Sequence, residues 1–183
     1  DITLIARFEY EGYIQLKEES TLGMYYAEIV TTIPIEEREA YNDDNPVFLL
    51  GVFLGQTLGN LRENFINNNL VFVDSNQQIL DDSQVVATGY QILVHDSDNN
   101  VIDRVHIVLK GDTNGDGRIT AVDFNSISNH LNNSNMLIAS RLLAIDLNND
   151  GRITAVDFNI LSNHLNNSNL IHDPSITSTL RGN

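Results

Sequence analysis

Residues 112–123 read DTNGDGRITAVD, and residues 146–157 read DLNNDGRITAVD. Each copy sets oxygen-bearing side chains at loop positions 1, 3 and 5: Asp112, Asn114 and Asp116, then Asp146, Asn148 and Asp150. A Gly follows at position 6 (Gly117, Gly151) and a carboxylate at position 12 (Asp123, Asp157). Ca²⁺ is a hard cation that takes roughly six to eight oxygens, and this spacing wraps them around one ion. The Gly permits the sharp turn between the halves of the loop. Position 7 (Arg118, Arg152) is expected to give its backbone carbonyl, and position 9 (Thr120, Thr154) to act through a water. A single acidic Asn/Gly stretch also suits a turn between strands, but two copies in register do not. The sequence predicts two calcium loops.

Position 12 carries Asp where a helix–loop–helix calcium hand has a bidentate Glu. Asp is one methylene shorter, so the following helix must sit closer to the ion. The stretch before the first loop, VIDRVHIVLK (101–110), alternates and is rich in β-branched residues, which predicts a strand. Each loop therefore feeds one helix, VDFNSISNHLNN and VDFNILSNHLNN, at a repeat period of 34 residues from Asp112 to Asp146. Over 112–135 the copies differ only at Thr113/Leu147, Gly115/Asn149, Ser126/Ile160 and Ile127/Leu161. Phe124, Ile127 and Leu131 share a face with Ile119, as Phe158, Leu161 and Leu165 do with Ile153, and those faces are expected core. MLIASRLLAI (136–145) reads as a linking helix.

The run GDTNGDGRITAVDFNSISNHL, a linking helix, and a second loop and helix together resemble dockerins, over roughly residues 110–172. That resemblance implies an all-α dockerin with two calcium loop–helix motifs and two Ca²⁺. It also implies a cohesin partner on a scaffold or anchoring protein, in a cellulosome-type assembly. In dockerins the partner contacts fall at loop positions 10 and 11 and further along the helix. Here those positions are Ala121 and Val122, then Ala155 and Val156, where many dockerins carry Ser-Thr. Asn125, Ser128, Asn129 and Asn132 continue the face in copy one, and Asn159, Ser162, Asn163 and Asn166 in copy two. Ile160 replaces Ser126 and would add apolar area in a second-repeat docking mode. Ordinary polar surface is the alternative reading of these residues.

Residues 1–46 are strand-rich and of uncertain membership, with 36–46 a polar loop or short exposed helix and Glu36, Glu37 and Glu39 a solvated face. From 47 to 110 the pattern is strand (VFLLGVFLG), helix capped by Thr57 (TLGNLRENFINN), then strands LVFVD, TGYQILVHD and NVIDRVHIVLK. The last two pair as a hairpin across SDNN. This predicts a small α+β unit with its helix on one sheet face, β-grasp-like or similar to the X modules that precede dockerins in bacterial extracellular proteins. The expected divisions are 1–46, 47–110, 111–172 and a tail at 173–183. One or two residues separate the last strand from Asp112, so rigid coupling is expected.

Other classes are excluded by inventory. The net charge of −15 disfavours nucleic acid, since phosphate binding needs clustered Lys and Arg. Residues 1–110 hold 18 acidic and 6 basic residues, a balance of −12, against 7 and 4, a balance of −3, in 111–183. Two Ca²⁺ would bring the second half to about +1. No apolar run reaches the ~18 residues of a membrane span. Cys and Trp are both absent, and no G-x-S-x-G elbow or phosphate loop occurs, so neither an enzyme nor a small-molecule substrate is expected. His130 and His164 lack a neighbouring ligand set of zinc spacing and are expected at the surface or half-buried. The expected function is calcium-dependent docking to a cohesin, outside the cell or at its surface. A calcium-stiffened structural terminus is the alternative. A calcium sensor is a poorer one, because Met24 and Met136 are the only Met available for a Met-rich groove.

Overall fold

Strand β3 (Val47–Leu50) carries the whole architecture, and all four of its residues are buried. Successive side chains of an extended strand point to opposite faces. Val47 and Leu49 enter one hydrophobic core, while Phe48 and Leu50 enter a second one on the other side. The first core holds residues of the sheet half alone. The second joins Phe48, Leu50 and Val108 to Ile127, Leu143, Ile145, Ile153 and Leu161 of the helical half. The two halves of the chain therefore share a core.

The computed structural model describes residues 8–9, 12–17, 28–31, 47–132, 134, 137, 139–166 and 171. The expectations for 36–46, for Met136 and for the tail at 173–183 lie outside those residues. Among the described residues six strands form one mixed sheet: β1 (Phe8–Glu9), β2 (Glu28–Thr31), β3, β4 (Val71–Val73), β5 (Gln91–His95) and β6 (Val101–Ile107), in the order β1-β2-β3-β6-β5-β4. Within 1–46, β1 and β2 thus extend the same sheet, while Leu16 makes an isolated bridge to Phe65. β3 and β6 are parallel, with Phe48 opposite His106 and Leu49 opposite Ile107, and the other pairs are antiparallel. The expected β5–β6 hairpin forms. Its turn is tied by Asp96 Oδ1, which accepts the N–H groups of Asp98 (2.9 Å) and Asn100 (2.8 Å).

Helix α1 (Leu58–Arg62) lies against the first core through Leu58 and Leu61, and Thr57 caps it by accepting the Asn60 N–H at 3.2 Å. It is shorter than the apolar spacing predicts. The Asn64 side chain donates to the carbonyls of Asn60 (2.9 Å) and Leu61 (3.2 Å), which ends the helix, and Ile66 beyond it is exposed. The first strand is also shorter than VFLLGVFLG, because Gly51 turns the chain at φ 85°.

Among the described residues the helical half contains α2 (Ala121–Leu131), α3 (Ala139–Ile145) and α4 (Ala155–Leu165). Phe124 and Phe158 meet with ring centroids 4.3 Å apart, so the equivalent residues of the two repeats touch each other. Leu131, expected in the core, is exposed. At the junction, Gly111 donates to Ala144 O at 2.8 Å, and Lys110 Nζ donates to the carbonyls of Leu143 (2.7 Å) and Asp146 (2.6 Å). A Cβ on Gly111 would meet Ile119 Cδ1 at 2.9 Å, so the connection is packed shut. Among the described residues no helix is long and apolar enough to cross a membrane.

Candidate metal centre and helix faces

Asp112, Asp123, Asp146 and Asp157, the first and last carboxylates of the two loops, are all fully buried. Asp112 Oδ1 accepts the N–H groups of Gly115 (2.8 Å) and Asp116 (3.1 Å), and its Oδ2 those of Thr88 (2.9 Å) and Gly117 (3.1 Å). Asp123 Oδ1 accepts the N–H of Thr113 at 2.8 Å. Its Oδ2 accepts the Thr120 N–H at 2.8 Å, which closes a capping box at the start of α2. Asp157 repeats this with Leu147 N–H (2.9 Å) and Thr154 N–H (2.8 Å). One side chain at position 12 thus fixes both the loop entrance and the helix start. Asp reaches both.

Burial pushes the Asp112 carboxyl above the usual carboxylate range, opposed by the Thr88, Gly115 and Gly117 N–H groups and reinforced by the Asp123 charge. Burial likewise raises Asp157, opposed by the N–H groups of Thr154, Leu147 and Asn148 and reinforced by Asp146. Each loop therefore buries a mutually repelling carboxylate pair, which a cation would relieve.

The candidate ligands in the middle of each loop sit further out. Asp116 and Asp150 are exposed, and their Oδ2 atoms accept the side-chain amides of Asn114 (2.8 Å) and Asn148 (2.7 Å). Among the described residues no three His, Cys, Asp or Glu side chains converge as a metal cluster. Each loop offers two buried carboxylates and one exposed one, and amide and backbone oxygens make up the remainder of the set. An all-oxygen set of this kind fits a hard cation and suits zinc poorly. Thr120 and Thr154, expected to act through water, are N-caps whose Oγ1 accepts the N–H of Val122 (3.2 Å) and Val156 (3.1 Å).

On the outward faces Ala121, Val122, Asn125, Asn129 and Asn132 are exposed on α2 or at its end, with Ser128 half-buried. Ala155, Val156, Asn159, Asn163 and Asn166 match them on α4, with Ser162 half-buried. Val122 and Val156 keep 56% and 51% of their surface open, unusual for paired apolar side chains at matching positions. Ile160 is half-buried and packs in part against the second core.

The histidines have a task that their spacing did not reveal. His130 Nδ1 accepts the Leu137 N–H at 3.1 Å, and His164 Nδ1 accepts the Ile171 N–H at 3.1 Å. His130 is buried rather than at the surface. A nitrogen that accepts is unprotonated, so each ring is held neutral with its proton on Nε2. Burial pushes both imidazoles below their usual value. A depressed folded pKa means stability that is full above the unfolded value of about 6.5 and is lost as pH falls through the folded value. The melting temperature should therefore drop as pH is lowered from about 7 toward 5, and a His130→Gln/His164→Gln chain should lack that step. An unchanged pH slope in the double variant would refute the assignment.

Two acidic loops, each closing on the helix it starts and each copying the other, define a duplicated loop–helix module. Residues 110–166 match the family model of the Dockerin type I domain, so this part of the chain is similar to dockerins as its motifs indicated. The sheet half, apart from Lys110, lies outside the matched residues. No curated protein and no solved structure matches the chain.

Proposed function

We propose that the helical half is a calcium-dependent docking module for a cohesin on a scaffold or cell-surface protein, and that the sheet half, X-module-like, is its rigid support. The duplicated loop–helix unit within the dockerin match carries this reading. Dockerins are non-catalytic modules that in general bind calcium and dock to cohesins. The first ion would be held by Asp112, Asn114, Asp116, the Arg118 carbonyl and Asp123. The second would be held by Asp146, Asn148, Asp150, the Arg152 carbonyl and Asp157. Calcium supplies the positive charge that lets the buried carboxylates stay ionised. Thr120 and Thr154 start the helices at the loop exits, so loop order sets helix position. The shared core with β3 fixes the helices against the sheet.

The near-identity of the copies and the Phe124–Phe158 contact favour two docking orientations related by an internal two-fold. Val122→Asp and Val156→Asp, made singly and together, test this by titration against a cohesin in calcium. Each single change should weaken binding only a few-fold, and the double should abolish it. Loss from one single change alone leaves one orientation. A harmless double variant removes this face from the interface and favours the calcium-stiffened terminus instead.

A further inference from the structure

Residues 82–89 run from the start of α1 to the end of β6 and cross the first loop on the way. The sheet half holds them at both ends. Near α1, Leu58 and Gly59 donate to the carbonyls of Gln84 and Asp82 at 2.9 Å, and Val86 donates to Gln56 O at 2.8 Å. Near β6, Thr88 Oγ1 donates to Leu109 O and accepts the Leu109 N–H, both at 3.0 Å. Val86, Ala87 and Thr88 are buried.

The loop meets this segment at two glycines and one carboxylate. A Cβ on Gly115 would lie 2.6 Å from Thr88 O, and one on Gly117 would lie 3.0 Å from Val86 O. The Thr88 N–H donates to Asp112 Oδ2 at 2.9 Å. Position 4 of the second loop is different: Asn149 stands there, exposed, at φ 59°. The same side chain in the first loop would collide with a backbone carbonyl. The loops differ again at position 2, where Thr113 Oγ1 donates to Asp123 Oδ1 at 3.0 Å while Leu147 has no hydroxyl to give.

We infer that the first metal site is built jointly by both halves of the chain, with Thr88 as a positioning residue for Asp112, and that the two sites are therefore unequal. This rests on the calcium reading above. The Thr88 N–H and the close approach of Gly115 and Gly117 to the carbonyls of Thr88 and Val86 fix the first loop against the sheet half. A loop already held in shape loses less freedom when an ion enters. The first site should bind more tightly and release more slowly.

The test is calorimetric titration of the full chain with Ca²⁺. Asp150→Ala leaves the first loop to report alone, and Asp116→Ala leaves the second. The first loop should bind about ten-fold more tightly, the scale of one charge-assisted hydrogen bond. Gly115→Asn should remove about that factor in the Asp150→Ala chain. Asn149→Gly should change affinity less than about two-fold in the Asp116→Ala chain. Hydrogen exchange in the chain without substitutions guards against a misfolded variant: calcium should slow exchange at the Thr88 amide, and Asp116→Ala should abolish that slowing. Equal affinities with a calcium-insensitive Thr88 amide overturn this inference alone. No calcium binding at either loop overturns it together with the reading on which it rests.

Discussion

Excess chelator should strip most of the helical circular dichroism contributed by α2 and α4 and abolish partner binding at the same concentration. The expectation follows from burial. Asp112 with Asp123, and Asp146 with Asp157, are carboxylates with no surface exposed to water. Without a cation each pair must repel across a desolvated loop or take up protons against neutral pH. A ligand at a hundred times its dissociation constant stabilises the folded state by about 2.7 kcal/mol, so two filled sites amount to about 5 kcal/mol. Whole domains have stabilities of about 5–15 kcal/mol. Losing both ions therefore removes a large share of what holds the helical half. Unchanged helicity and an unchanged melting temperature in chelator would sink the calcium reading.

Phe48→Ala should loosen the helices although it lies in a strand some way before them in sequence. Phe48 is 1% exposed, stands on β3 and packs in the second core with residues of α2, α3 and α4. Removing a buried Phe ring costs about 3–5 kcal/mol. For a chain of this size that corresponds to a melting temperature lower by about 10 °C. Hydrogen exchange should quicken in α2 and α4 as well as in the sheet. If the helices keep their protection while only the sheet loosens, the two halves do not share a core in solution.

Local chemistry was legible in the sequence, and distant pairing was not. The two acidic loops, the Thr57 cap, the β5–β6 hairpin and the two repeat helices all rest on patterns within a dozen residues or so. The dockerin resemblance rested on the same short patterns, and the family match covers that part. The parallel pairing of β3 with β6 joins residues far apart in the chain, and no periodicity announces it. VFLL reads as a buried strand, but nothing in it says that its two faces serve different cores. The role of Thr88 at Asp112 was hidden for the same reason. A trace of it was present: Gly115 faces Asn149 across the repeat, one of few differences between nearly identical copies. His130 was misplaced, and the capping role of both His130 and His164 was missed, because a side-chain cap on an N–H seven residues later has no sequence signature.

The two-sided burial of β3 also sets the order in which the protein is completed on the ribosome. β3 emerges early, yet its parallel neighbour β6 follows only after α1, β4 and β5 have been made. Pairings between distant segments form slowly, and they leave apolar surface open in the meantime. Even with the sheet assembled, Phe48, Leu50 and Val108 lack their helical partners in the second core until α2, α3 and α4 leave the exit tunnel. A nascent chain that stalls after β6 would present a sticky sheet face to its neighbours. On the calcium-dependent docking reading, export through a narrow channel would recreate the same exposure on the far side, and calcium there would set how long that face stays bare.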